Sequence, residues 1–192
     1  MDTKTRKDLA ITAAKQIGNL LKSNFGRYLR IKNKEDKSLV THIDLEAEKI
    51  IIDLIKQNYP QDGILSEESK EQLSTSGYKW IIDPLDGTHN YIHKIDAFGT
   101  SIALAFKEEV ILAVLYIPTF DELYCAQKDK GAYLNGKKIT VSQRKLKQAT
   151  LIFDSSIRYQ KQTMLSCLSK TATAVFNIRM FGSTARSLCY IA

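Results

Sequence analysis

Apolar residues in this chain change their spacing once, near Gly63, and that change constrains the fold more than any other feature of the sequence. Before it, Leu9, Ala13, Ile17, Leu20 and Leu21 recur at the step of a helix, which predicts an amphipathic helix over residues 5–24. A second helix is expected from Asp44 to Asn58, burying Ala47, Ile51, Leu54 and Ile55. Tyr59-Pro60 stops it and Gly63 follows, the punctuation of a helix end. Asp44 at its head is the residue type of a helix cap. The basic stretch 32–37 between the two helices reads as a polar loop.

Past Gly63 the pattern is that of strands. Gly63-Ile64-Leu65-Ser66 leads into Glu67-Glu68, and Lys79-Trp80-Ile81-Ile82 leads into Asp83. Residues 98–106 and 110–117 form two β-prone runs, with Lys107-Glu108-Glu109 as the hairpin turn between them. Asn135-Gly136 signals another turn, between Ala132-Tyr133-Leu134 and Ile139-Thr140-Val141. The remainder predicts a strand near 151–153, a helix near 160–169, a strand near 174–180 and a helix starting after Gly182-Ser183. Helices first, strands in the middle and mixed elements last indicate an α+β fold. With no repeat and no Pro/Gly-rich linker, residues 1–192 are expected to form a single domain.

Composition narrows the function. Hydrophobic residues at 44% and charged residues at 26% are globular usage, so disorder is not expected. The net charge of +7 fits an anionic small molecule or nucleic acid. The cations are scattered, however, with mild clusters at 32–37 and 144–147 and no aromatic interleaving. A solvated surface is the better reading, and nucleic acid is not the expected partner. No apolar run approaches the roughly 20 residues of a membrane span, and the first residues lack a signal-peptide core, which leaves the cytoplasm as default. Cys125, Cys167 and Cys189 are far apart and form no CxxC pair. They are expected to be buried or partly buried thiols.

The chemistry concentrates in Trp80-Ile81-Ile82-Asp83-Pro84-Leu85-Asp86-Gly87-Thr88-His89-Asn90-Tyr91. An apolar strand ends in Asp83, Pro84 removes a backbone donor, and Gly87 permits a tight turn after Asp86. Two carboxylates aimed at one point repel unless a cation lies between them, and hard oxygen ligands suit Mg²⁺. Glu67-Glu68 is a second acidic pair at another strand end, and Glu67 beside Asp83 would supply charge for more than one dication. Taken singly, Asp83 and Asp86 are also ordinary turn residues, Glu67 an ordinary solvated one, and Thr88 an ordinary turn hydroxyl. His89 and His93 show no i, i+4 or HExxH ligand spacing with a suitable partner and are assigned to the surface or to support of the site.

The whole segment resembles the signature of the inositol monophosphatase family, W-[VI]-I-D-P-[IL]-D-G-T-x-N-[FY]. Ser66-Glu67-Glu68-Ser69 resembles the family's E-E-[ST] element, and Leu39-Val40-Thr41-His42-Ile43-Asp44 with Glu48 resembles its V-T-x-x-D-x-x-x-E segment. Lys130-Gly131-Ala132-Tyr133-Leu134-Asn135-Gly136-Lys137 resembles K-G-A-[FY]-x-N-G, and Gly182-Ser183-Thr184-Ala185 resembles G-[ST]-A-A. The resemblance implies a layered α/β/α/β/α sandwich, a homodimer, and Mg²⁺-dependent hydrolysis of an inositol or sugar phosphate monoester.

The resemblance also implies residue roles. Glu67 and Asp83, with the Leu85 carbonyl, hold a first metal ion. Asp83 bridges to a second ion that Asp86 also holds. Thr88, paired with Asp44, helps Glu67 activate the attacking water, while the Gly87 and Thr88 amides bind phosphate. Asp86, Ser183 and Thr184 lie by the substrate, Thr184 where the family often has alanine. A W-D-x-A-A-G motif that completes the second metal site is expected after Ala185, but the one tryptophan is Trp80. The expectation is therefore a C-terminally shortened sandwich that keeps the first metal site, with a weakened second site and low turnover. Fructose-1,6-bisphosphatase and 3′-phosphoadenosine nucleotide phosphatase activities are the alternatives among enzymes, and a catalytically weak binding or interaction protein is the alternative of another class.

Overall fold

The computed structural model describes residues 3–33, 39–153 and 160–192. Two helices open the chain: α1, Thr3–Asn24, and α2, His42–Asn58, separated by the short antiparallel hairpin β1, Ile31–Asn33, and β2, Leu39–Thr41. Lys32 and Asn33 thus lie in a strand and not in the expected polar loop; residues 34–38 of that loop fall outside the described residues. The helix α2 starts two residues before the predicted Asp44. Thr41 is its N-cap, and Asp44 closes a capping box from the third helical position.

The middle of the chain is one mixed sheet. It runs in sequence order through β3 (Gly63–Ser66), β4 (Tyr78–Asp86), β5 (Gly99–Phe106), β6 (Glu109–Ile117), β7 (Glu122–Gln127), β8 (Gly131–Leu134) and β9 (Lys137–Ile139). Within this sheet, β3 and β4 pair in parallel and the other neighbours antiparallel. The β5–β6 turn sits at Lys107 and Glu108, both at positive φ (49° and 67°), as a two-residue hairpin turn of matching twist requires. Sequence reading missed β7, because Glu-Leu-Tyr-Cys-Ala-Gln shows no clean alternation and every residue of it is half-buried.

Alternate residues of the central strands make the core. Trp80, Ile82, Ile102, Leu104, Leu112 and Val114 are all nearly solvent-free and face the layer formed by α1 and α2. The fit is close enough that a Cβ on Gly18 of α1 would lie 2.2 Å from the Tyr116 ring. The end of α1 is held by Tyr91, whose buried hydroxyl donates to the Leu21 carbonyl at 2.7 Å.

Further elements follow the one-turn helix α3, Thr88–Ile92, and the sheet. A parallel strand pair, β10 (Thr150–Ile152) and β11 (Asn177–Arg179), flanks α4, Lys161–Ala172, and the last helix is α5, Thr184–Ile191. α5 lies against β5 and β6 on the sheet face opposite α1, so helices flank the mixed sheet on both sides as expected for the α+β reading. No helix among the described residues is long and apolar enough to cross a membrane. Of the cysteines, Cys189 is buried and Cys125 half-buried, whereas Cys167 is exposed on α4, contrary to expectation.

Candidate active site

The site forms where β4 loses its regular pairing. Asp83 pairs with Ser101 and Asp86 with Gly99, so three steps on β4 match two on β5. In a regular strand, residues three apart face opposite sides of the sheet. One extra residue in β4 is a bulge, and it turns Asp86 to the side that Asp83 occupies. Pro84 suits that position because it has no N–H to leave unpaired, and its carbonyl accepts from the buried Thr100 hydroxyl at 3.0 Å. The bulge thus explains why two aspartates so close in sequence act at one point.

Glu67 joins them from the end of the parallel neighbour β3. It hydrogen-bonds the Asp83 carboxyl and adds its charge to that of Asp86. The loop carrying it is fixed from α2, where Glu48 Oε1 accepts from the Glu68 amide at 3.0 Å. Burial, foremost, then the charges of Asp86 and Glu67, push the Asp83 carboxyl up to about 8. Its Oδ1 and the Ser66 hydroxyl beside the cluster are buried without a hydrogen-bond partner among the described residues.

Asp86 is satisfied differently. It accepts from the Ser183 hydroxyl and from the Thr184 and Ala185 amides at 3.1 and 3.0 Å, and so caps α5 across almost a hundred residues of sequence. Burial still raises its pKa, with those donors pulling the other way. The Ser183 hydroxyl is engaged twice, donating to Asp86 and accepting from the Arg186 amide at 3.1 Å as N-cap of α5. Thr184 keeps its side chain exposed.

Behind the carboxylates lies a hydroxyl relay. Thr88 Oγ1 stands 3.0 Å from Asp44 Oδ1 and 3.1 Å from the Leu85 carbonyl. Asp44 in turn accepts from the Thr41 amide at 2.8 Å and from the Thr41 hydroxyl. Gly87 makes the turn between β4 and α3 at φ +87°, and a Cβ there would come within 2.8 Å of the Ala97 carbonyl. Glycine is needed on both counts.

The sequence-predicted residues are therefore brought together: Glu67, Asp83 and Asp86 at one point, with Leu85, Gly87, Thr88 and Asp44 beside it and Ser183 and Thr184 across from it. Asn90 was missed as a positioning residue. Its amide donates to the Ala97 and Phe181 carbonyls at 2.7 and 2.6 Å and so clamps α3 to the chain before α5. The asparagine in the quoted motif was the available signal. Thr41 was also missed, although Thr41-x-x-Asp44 has capping-box spacing.

Among the described residues, no three acidic, histidine or cysteine side chains are yet drawn together closely enough to hold a metal ion. Both oxygens of Asp86 are turned onto α5. The donors nevertheless fit a hard cation: carboxylate and carbonyl oxygens, one of them buried and orphaned, in mutual repulsion.

The sequence profile of the inositol monophosphatase family matches residues 2–192. The chain belongs to the inositol monophosphatase family. As a member it is a phosphoric monoester hydrolase. The fructose-1,6-bisphosphatase/inositol-1-monophosphatase of Aquifex aeolicus is 36% identical over 96% of this chain and 72% of its own length. The histidinol-phosphatase of Chlorobaculum parvum is 39% identical over 70% of this chain and 52% of its own. The crystal structure of the extragenic suppressor protein suhB from Bartonella henselae superposes with a TM-score of 0.94 at 32% identity, covering 98% of this chain and 74% of that one.

Proposed function

We propose that the chain hydrolyses the phosphate monoester of inositol or a related sugar, with Mg²⁺ held in the carboxylate cluster and a homodimer as the working form. Asp83 carries the proposal: a buried carboxyl with an orphaned oxygen and two carboxylate neighbours, a charge pattern that a dication relieves. Glu67, Asp83, Asp86 and the Leu85 carbonyl would hold the metal. When bound, it supplies a water of lowered pKa and a counter-charge for the phosphoryl oxygens.

The chain's own residues position and deprotonate. The Thr88 hydroxyl donates its hydrogen bond to Asp44, which leaves an oxygen lone pair to hold a water against Glu67, and Glu67 takes the water's proton. The Gly87 and Thr88 amides face the phosphate at a turn only glycine can make. Asp86 and Thr184 lie on the leaving-group side. Next to Thr184, between α5 and β10, is a cavity of about 190 Å³ that also touches Ile152, Gly182 and Leu188.

Phosphate release from inositol 1-phosphate, fructose 1,6-bisphosphate, histidinol phosphate and a 3′-phosphoadenosine nucleotide, with and without Mg²⁺, tests this reading. Asp86→Asn serves as control. Release should be fastest with inositol phosphate, require Mg²⁺ and collapse in the variant. A folded, Mg²⁺-binding chain that releases nothing would instead be a binding protein.

A further inference from the structure

We propose that the β8–β9 hairpin and the segment after it, residues 128–147, form a docking surface for an acidic, extended polypeptide segment. Charge singles this stretch out. It holds seven Lys and Arg residues against one acid, Asp129, a net +6 where the whole chain carries +7. All seven cations are exposed. Lys128 is neutralised by Glu109 at the start of β6. Lys130, Lys137, Lys138, Arg144, Lys145 and Lys147 have no ion pair among the described residues. Unpaired like charges at this density repel one another, and a multivalent anion relieves the repulsion.

The fold gathers cations that the sequence spreads out. A turn at Asp129, with φ 62°, leads into β8, and the Asn135-Gly136 turn brings β9 back along it. Tyr133 then stands opposite Lys138 and Leu134 opposite Lys137. The Lys138 side chain passes over Gly131, where a Cβ would lie 3.4 Å from its Cε, and so reaches the end of the hairpin that Lys130 opens. From Ile139 the chain continues through Arg144 and Lys145 into the 3₁₀ turn Leu146–Gln148.

Three features select a polypeptide as the anion. β9 ends the seven-stranded order, with no strand on its outer side among the described residues, so its edge can pair with the backbone of an incoming strand. Edge lysines ordinarily keep other sheets away. Here Lys137 and Lys138 repel a basic or identical strand and attract an acidic one, so the same charges exclude and select. Val141 and Leu146, both more than half exposed, alternate with the cations along the chain and offer aliphatic surface to apolar side chains of the partner. Single-stranded nucleic acid, by contrast, is held by stacking on free aromatic rings. Tyr133, the one aromatic residue of the stretch, is half-buried, and its hydroxyl donates to the Lys130 carbonyl at 3.2 Å. The partner is therefore a segment rich in Asp and Glu with aliphatic residues between them. None of the docking residues belongs to the carboxylate cluster.

Fluorescence anisotropy of a labelled peptide of alternating glutamate and valine, titrated with the full chain, tests the proposal. Saturable one-to-one binding that weakens as salt rises is expected. Lys137→Glu with Lys138→Glu, and separately Lys145→Glu with Lys147→Glu, should each weaken it at least about tenfold. Lys15→Glu with Lys22→Glu makes the same change in net charge at exposed positions of α1 and should leave binding in place. Replacing the peptide's glutamates by glutamine, or alternate valines by proline, should abolish binding. Thermal melting checks that each variant is folded. The proposal is overturned by no binding at low salt, by an equal loss in the α1 variant, or by equal affinity for the proline-containing peptide. It is also overturned if an oligouridylate binds more tightly than the peptide and is lost in the same hairpin variants.

Discussion

Thr88 and Asp44 are 44 residues apart in sequence, and their side chains meet at 3.0 Å. The contact ties the turn after the carboxylate strand to the head of α2. Asp44 cannot swing away, because Thr41 holds its other oxygen through both backbone and side chain. A capping box, ordinarily a device of helix stability, here also orients a hydroxyl at the site. Burial raises the Asp44 pKa against the pull of those donors.

Thr88→Ala removes the relay without touching a carboxylate. With Mg²⁺ saturating, kcat should fall by about 10²–10⁴-fold, the range of positioned acid–base assistance, while Mg²⁺ affinity holds. Steady-state kinetics with a magnesium titration checks both. An unchanged kcat would remove Thr88 from the mechanism.

Stability should depend on pH in a definite sense. Asp83 is shifted from an ordinary 3.8 up to about 8 by burial and by its acidic neighbours. The folded state therefore binds this proton more tightly than the unfolded state does. Its contribution favours folding at low pH and is lost as pH rises from about 4 towards about 8. Asp44 and Asp86 are shifted in the same direction. In EDTA, the Tm of the wild type should fall across that window relative to Asp83→Asn. Parallel curves for the two proteins would show that Asp83 is not perturbed.

Gly87→Ala places a side chain at φ +87° and 2.8 Å from a backbone oxygen. The strain should cost about 1–3 kcal/mol, read by urea denaturation, and activity should drop because Thr88 is displaced. A variant as stable as wild type would mean the turn relaxes freely.

Far from the site, Asp62 accepts from Arg6 Nε and Nη2 (both 3.1 Å), from Ser76 Oγ (2.7 Å) and from Trp80 Nε1 (3.0 Å). Arg6 is held between the Tyr59 and Tyr78 rings, 4.0 Å from each. Asp62→Ala strands a buried guanidinium and should cost about 3–5 kcal/mol in chemical denaturation, with Mg²⁺ affinity of the folded protein unaltered. A loss below 1 kcal/mol would mean that water reaches Arg6 easily.

Much of this was legible from local pattern. The spacing of Leu9, Ala13 and Ile17 gave α1, and the apolar runs on either side of Lys107-Glu108 gave β5 and β6, because each element buries one face against a single neighbour. What stayed hidden was set by distant partners. β7 lies between β6 and β8 and is half-buried throughout, so it leaves no alternation to read. The bulge at Pro84 depends on the register of β5, and the capping of α5 by Asp86 spans nearly the whole second half of the chain. Asp83, Asp86 and Glu67 could be picked out as carboxylates at strand ends, but their convergence is a product of sheet register.

The central claim is that the Glu67–Asp83–Asp86 cluster exists to bind a hard dication. Isothermal titration of Mg²⁺ into the wild type and Asp83→Asn at pH 8 tests it most directly. Saturable binding in the wild type, with a Tm that rises with free Mg²⁺, and neither in the variant, is the predicted result. Equal binding by the two proteins, or none by either while both remain folded, would contradict it.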